Sequence, residues 1–301
     1  MSGNVKLSIH PTFNCNYRCP YCYLGNLRDN EQVLPLQVLS DRLSEVKSLY
    51  NISSIQILGG EVSLLRENYL YELCSMLEGI PHSITTNLSN TWLINFCLQN
   101  NVGIGVSLNE ERPNYDLTLE RLKILKGMKG ITISSVVLPS LIKKDPKDIL
   151  SLYNELGFTT YFIQYHPSIY SELDYNLSLE DFTHFIEHIF RAYRKGNYDF
   201  KIGNEIASKD KTLKASFDNC LFINPNGKFS TILENNQGRE YYKEFQNLQE
   251  FDDFRNSYGK GRAAQCTDCY YFSKCKGEHL VSNNPLKCSQ SFELFNRERD
   301  E

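Results

Sequence analysis

Residues 12–23 read TFNCNYRCPYCY, with three cysteines spaced C-x3-C-x2-C at Cys15, Cys19 and Cys22. They follow directly on residues 5–10 (VKLSIH), whose apolar, β-branched pattern predicts a strand. Outward from this point the chain alternates between strand-like and helix-like stretches. Strands are predicted over 54–58, 82–86, 102–108, 131–138 and 160–165, and helices over 35–50, 67–78, 91–100, 114–127, 146–156 and 178–195. The last helix opens on a capping box from Ser178 to Asp181, the acid standing in for the usual Glu. Strict alternation means a parallel sheet, either an open doubly wound sheet or a barrel.

Three thiolates on a tight loop can hold three irons of a [4Fe–4S] cube and leave the fourth iron without a protein ligand. An open coordination position is what a catalytic metal site needs and a closed structural one lacks. A zinc knuckle would need a fourth ligand, and His10 is the only near candidate. Three clustered cysteines without a fourth favour the open iron site. In a barrel, a loop leaving the first strand lies at the C-terminal mouth, where barrel active sites lie.

Composition narrows the remainder. The chain has 301 residues, 41% hydrophobic and 23% charged, which excludes disorder. Its net charge of −4 excludes a strongly basic nucleic-acid footprint. No apolar run approaches the roughly 18 residues of a membrane span. The N-terminal stretch has no apolar segment of a secretory signal, so a cytoplasmic location is expected, where thiols stay reduced. Of the ten cysteines, Cys74 and Cys97 sit at helical spacing among leucines and read as core.

After residue 196 the pattern changes, and the domain boundary is placed near 196–200, giving units over 1–196 and 197–301. Residues 221–233 read as a β-hairpin turning at Asn224-Pro225-Asn226-Gly227, with Gly supplying the positive φ. Residues 240–257 are expected to be helical. Cys266, Cys269, Cys275 and Cys288 form a C-x2-C-x5-C-x12-C set. Four thiolates suit a closed zinc site or a complete [4Fe–4S] cube equally.

The segment CNYRCPYC resembles the signature of the radical S-adenosylmethionine (radical SAM) superfamily, with Tyr21 as the aromatic before the last cysteine. Gly59-Gly60-Glu61, at the end of the second predicted strand, resembles that family's GGE motif, although Val62 stands where Pro is common. Two glycines let backbone approach a ligand, and an acid can accept from an ammonium. The resemblance implies a partial (β/α)6 TIM-like barrel carrying a [4Fe–4S] cluster whose open iron chelates SAM. It implies reductive cleavage to a 5′-deoxyadenosyl radical that abstracts hydrogen from a C–H bond. It places Tyr21, Gly59, Gly60, Glu61, Asn87, Ser107, Asn109, Arg112 and Val137 around the SAM. Asn87 follows Thr85-Thr86, Asn109 replaces a common Asp, and Arg112 matches a basic residue that pairs with the methionine carboxylate. Ser135 and Val137, with Tyr165 and His166, are expected to line the cavity.

The distal cysteines resemble the SPASM/Twitch region of such enzymes in degraded form. Cys220 matches a first hairpin cysteine, but Phe229 and Ser230 stand where a second is usual, and His279 where another is. The resemblance implies a small Cys-rich C-terminal domain, containing the hairpin, with one auxiliary [4Fe–4S] cluster on Cys266, Cys269, Cys275 and Cys288. Cys220 is then left over, as a spare ligand, a structural thiol or a hydrogen donor to a substrate radical.

Function follows as an expectation. The first reading is a radical SAM enzyme that crosslinks, oxidises or epimerises a ribosomally made peptide. A radical oxidoreductase acting on a sugar or aminoglycoside-like alcohol is the second, and a non-enzymatic zinc-binding protein the third. The resemblance implies a reductase or flavodoxin-type electron donor. The chain begins almost at its first strand, so a peptide's leader is expected to dock on the barrel mouth, the C-terminal domain or a separate protein.

Overall fold

Six strands run in one direction, each followed by a helix on the same side. They are β1 (Asn4–Ile9), β2 (Asn51–Ile57), β3 (His82–Thr86), β4 (Gly103–Ser107), β5 (Ile131–Val137) and β6 (Thr159–Gln164). The helices are α1 (Leu36–Leu49), α2 (Glu67–Met76), α3 (Trp92–Gln99), α4 (Tyr115–Ile124), the short α5 (Pro139–Ile142), α6 (Pro146–Leu156) and α7 (Leu179–Lys195). The chain continues through β7 (Cys220–Ile223), β8 (Phe229–Glu234), β9 (Glu240–Phe245) and α8 (Leu248–Cys266). The computed structural model describes residues 4–171, 173–204, 220–235, 237 and 239–266, without the side chains at 179, 220, 234 and 258–266. Cys269, Cys275, Cys288 and His279 lie outside the described residues, and Cys220 and Cys266 are described as backbone only.

Strand order decides between the two architectures. The sheet has nine strands in the order β6-β5-β4-β3-β2-β1-β7-β8-β9. The first six are parallel and consecutive. Right-handed crossovers that never reverse direction put every helix on one face and curl the sheet, whereas a doubly wound sheet reverses at a switch point. The fold is therefore a partial barrel. β7 adds in parallel to the free edge of β1, and β8 and β9 follow as antiparallel strands.

Side-chain alternation separates two faces. Val5, Leu7 and Ile9 of β1, Ile55 and Ile57 of β2, Ile104 and Val106 of β4, and Ile131 and Ile133 of β5 are buried in one cluster with the inner faces of the helices. The opposite, concave face carries small or polar residues, among them Ser8, Gln56, Thr85, Gly105 and Ser134. Gln56 Nε2 donates to Thr85 Oγ1 across it at 3.2 Å.

The capping box forms as predicted, with Asp181 N donating to Ser178 Oγ at 3.1 Å and Ser178 N to Asp181 Oδ2 at 2.8 Å. The hairpin turns at Gly227, φ 76°. Residues 240–257 are not one helix, which corrects the expectation above. Glu240–Phe245 is a strand paired along its length with β8, and the helix starts only at Leu248. Aromatic-rich EYYKEF favours an extended, half-buried strand, and the open edge of β8 supplies its partner.

Both ends of the sheet are protected. At β6, Thr160 N donates to Lys201 O at 2.9 Å, and the Asn204 amide bonds both the N–H and the C=O of Phe162 at 2.8 Å. An Asn side chain there imitates a neighbouring strand and blunts the edge. At the other end, Glu240 N donates to Pro167 O at 2.7 Å and Ile169 N to Glu240 O at 2.9 Å. The segment leaving β6 thus reaches across to β9 and bridges the two edges at the C-terminal mouth.

Candidate active site

The cysteine loop leaves β1 and is pinned by its own arginines. Arg28 donates from Nη1 to Cys19 O at 3.1 Å and from Nε to Gly25 O at 2.6 Å, while Arg18 donates to Cys15 O at 2.5 Å. Cys19 is buried, Cys15 and Cys22 half-buried, and all three are free thiols. Burial pushes the Cys15 and Cys19 thiols up; Cys15 also feels the charges of Cys19 and Cys22, and Cys19 that of Cys22. The Arg112 guanidinium acts on Cys19 in the opposite sense. Tyr17 N donates to Cys15 Sγ at 3.4 Å. Among the described residues no three His, Cys, Asp or Glu side chains converge on one ion position. A cube does not require that, since each thiolate binds an iron at its own corner.

The exit of β2 lies on this loop. Gly60 N donates to Thr12 O at 2.9 Å and Glu61 N to Asn14 O at 2.8 Å. A Cβ on Gly60 would fall 2.0 Å from Asn14 O, and one on Gly59, φ +129°, would fall 2.5 Å from Thr12 O. Only glycines let these backbones meet. The Glu61 carboxylate is buried, 1% exposed, and accepts from Ser63 N at 3.0 Å, Thr86 Oγ1 at 2.7 Å and Asn87 N at 2.6 Å. Asn87 Nδ2 then donates to Asn16 Oδ1 at 2.9 Å, back on the cysteine loop. The side chain that the sequence suggests for an ammonium thus ties the exits of β2 and β3 together.

One buried donor beside the thiols lacks a partner, Arg112 Nε, while the Tyr21 hydroxyl engages the Cys19 thiol. Arg112 donates from Nη1 to Ser107 O and lies 5.6 Å over the Tyr17 ring. Unpaired buried polar groups are rare in folded chains because each forfeits its hydration. Here the surplus is a guanidinium N–H next to three thiols, which fits an anionic group of a ligand bound beside a metal.

Residues 9–164 match the family model of the radical SAM superfamily. The chain belongs to that superfamily. No curated protein matches it by sequence. Among solved structures, native anSMEcpe with bound AdoMet is similar over 98% of this chain and 96% of that one, at 17% identity and a TM-score of 0.68. The same protein with bound AdoMet and the Kp18Cys peptide gives 98% and 96% coverage, 17% identity and a TM-score of 0.67. Streptococcus suis SuiB bound to precursor peptide SuiA is similar over 76% of this chain and 59% of that one, at 19% identity and a TM-score of 0.57. At such identities the likeness is one of fold.

The other site residues of this radical SAM chain take different positions. Ser107 and Arg112 stand together at the β4 exit. Asn109 spends its amide on β5, donating to Val136 O at 2.6 Å and accepting from Val136 N at 3.1 Å. Ser135 and Val137 do not line the lumen, a correction that follows from alternation. Both point to the helix layer, where Val137 joins the core and Ser135 lies against Tyr153 of α6. Tyr165 is buried with its hydroxyl on Leu173 O at 3.1 Å, and His166 Nδ1 faces Glu240 Oε1 at 3.5 Å. A small cavity of about 60 Å³ between the β4 and β5 exits and α4–α6, lined in part by Ser135 and Tyr153, belongs to that helix layer.

His10 is no fourth zinc ligand. It is fully buried, with Nδ1 on Asn224 Oδ1 at 3.1 Å and its ring stacked on Phe222 at 5.2 Å. Phe13 and Tyr242 complete the cage, and Tyr242 packs on Tyr23, beside Cys22, at 6.4 Å. Tyr242 carries no signal in the sequence, because 240–245 (EYYKEF) reads as helix until β9 is seen paired with β8. Nor is Gly25 marked. That residue has φ +46°, and a Cβ on it would lie 1.6 Å from Tyr170 O, where the β6 exit crosses the cysteine loop. A turn glycine without a neighbouring motif carried no signal.

Two predictions follow from this geometry. Gly25→Ala is expected to cost on the order of 1–3 kcal/mol, from forced overpacking, and to lower iron loading of the cysteine loop. Urea unfolding and iron content check this, and wild-type values for both would contradict it. Burial lowers the His10 pKa from 6.5 to about 4, against the raising effect of Asn224. Between those values the unfolded chain binds the extra proton, so stability falls as pH falls through this window. The contribution lost between about pH 7 and about pH 5 is about 2 kcal/mol. Urea midpoints should show a smaller acid loss in His10→Gln than in wild type, and equal losses would contradict it.

Proposed function

We propose that this chain is a radical SAM enzyme that modifies a peptide. Cys15, Cys19 and Cys22 would hold a [4Fe–4S] cluster with one iron free for SAM. When bound, the pair supplies one-electron cleavage of SAM and removal of a hydrogen atom from a substrate carbon. The residues of this chain bind and orient. The Gly59-Gly60-Glu61 backbone, braced by the Glu61 carboxylate, forms one wall beside the thiols. Arg112 would present its unpaired Nε to the ligand's carboxylate end, with Tyr21, Ser107 and Asn87 alongside. Asn109 and Val137 would contribute through their strand-end backbone. The observation that carries this reading is the placement of three free thiols, a glycine-bounded β2 exit and an orphaned buried guanidinium N–H at one barrel mouth.

A peptide is the favoured substrate because two structures of similar fold hold peptides, Kp18Cys in anSMEcpe and SuiA in SuiB. Cys266, Cys269, Cys275 and Cys288 are proposed to hold one auxiliary [4Fe–4S] cluster in a unit over 197–301. An external reductase or flavodoxin-type protein would deliver the electron.

Anaerobic reconstitution should give about eight irons per chain, falling to about four when Cys15, Cys19 and Cys22 are all replaced by Ala. That variant should release no 5′-deoxyadenosine from SAM under reduction. About two zincs in place of iron would overturn the enzyme reading. Mass spectrometry of a candidate peptide incubated with the reduced enzyme then tests the substrate class.

A further inference from the structure

One tyrosine on the rim of the mouth is held by a carboxylate from a different strand exit, and none of the binding roles above uses either. Tyr175 lies between β6 and α7 and donates its hydroxyl to Glu111 Oε2, on the β4–α4 connection. The other Glu111 oxygen accepts from Ser140 Oγ of α5 at 2.7 Å. The Tyr175 ring meets the buried Tyr165 ring edge-on, 5.2 Å between centroids and 87° between planes. The Tyr165 hydroxyl bonds Leu173 O, so the segment folds back over its own strand exit. Tyr175 is within electrostatic reach of the Cys19 thiol. Arg112, next after Glu111, lies over Tyr17, between Cys15 and Cys19.

Other carboxylates at this end of the barrel are engaged differently. Glu61 is held by three donors, Glu110 pairs with Lys144, and Glu240 faces His166. The hydrogen bonds that hold Glu111 come from two hydroxyls. Its bond to Tyr175 can therefore open without stranding a buried cation, and the half-exposed carboxylate can take water in exchange. A ring held by one such bond, on a segment leaving the last barrel strand, can move without disturbing the sheet.

We propose that Tyr175 is a lid over the cysteine loop, latched by Glu111 and moved aside when a ligand enters the barrel mouth. The coupling to a cluster rests on the reading that these cysteines bind iron, and the test keeps the two apart. In the metal-free full chain, alkylation of Cys19 by N-ethylmaleimide is followed by peptide mass mapping. Tyr175→Phe and Glu111→Ala, which remove the two halves of the latch, are expected to react about tenfold faster than wild type, the factor set by one hydrogen bond to a charged group. Glu111→Gln keeps an acceptor and should react within about twofold of wild type. Tyr175→Ala should be at least as fast as Tyr175→Phe. Thermal midpoints show which variants are folded, and either half of the latch suffices for the comparison. Wild-type rates in the folded latch variants would overturn the lid. In the iron-loaded chain without SAM, loss of cluster absorbance to an iron chelator should follow the same order. A wild-type chain that takes up no iron would refute the cluster reading, while the alkylation rates would still decide the lid.

Discussion

Two backbone hydrogen bonds, from Gly60 N to Thr12 O and from Glu61 N to Asn14 O, set the geometry on which the site depends. They press the exit of β2 onto the loop that carries the thiols, at a separation that no side chain on Gly59 or Gly60 would permit. Glu61 locks the contact by accepting from three donors on two neighbouring segments. A buried carboxylate with its hydrogen bonds made is well placed to fix a turn, because each bond to the charge is stronger than a neutral one. Asn87 and Asn16 close the circuit back to the cysteine loop. The cysteine loop is thereby positioned by a polar network of protein groups.

The topology explains why these parts meet. Consecutive parallel strands deliver every strand exit to one end, and the candidate site residues come from those exits. The strand order leaves the barrel open between β6 and β9, and residues 167–171 cross that gap. They bond β9 on one side, and on the other Asn26 N donates to Tyr170 O at 3.0 Å. The hairpin is therefore continuous with the barrel sheet through β7, and the His10 cage is the apolar seal between them.

Much of this was legible from residue pattern alone. The six strand–helix units follow from apolar periodicity, and Ser178 and Asp181 announce the last helix. The C-x3-C-x2-C spacing and the two glycines after β2 pointed to the candidate site, the first through ligand chemistry and the second through backbone freedom that only glycine has. Long-range pairing was not legible. Nothing local in EYYKEF says that an unfilled edge of β8 awaits it. Nothing local at Gly25 says that Tyr170 will lie against it. Asn109 and Asn204 look like loop amides until the neighbouring strand's backbone is seen to need them. The facing of Ser135 and Val137 went wrong for a related reason: a strand's two faces are distinguished only once the helix layer is known.

The central claim is that one iron at the cysteine loop is left to SAM. Electron paramagnetic resonance of the reduced, cluster-loaded chain, with and without SAM carrying ¹⁷O in its carboxylate, tests this most directly. The account predicts a change in the cluster signal on adding SAM, and broadening by the labelled oxygen. A cluster signal that is identical with and without SAM would contradict it.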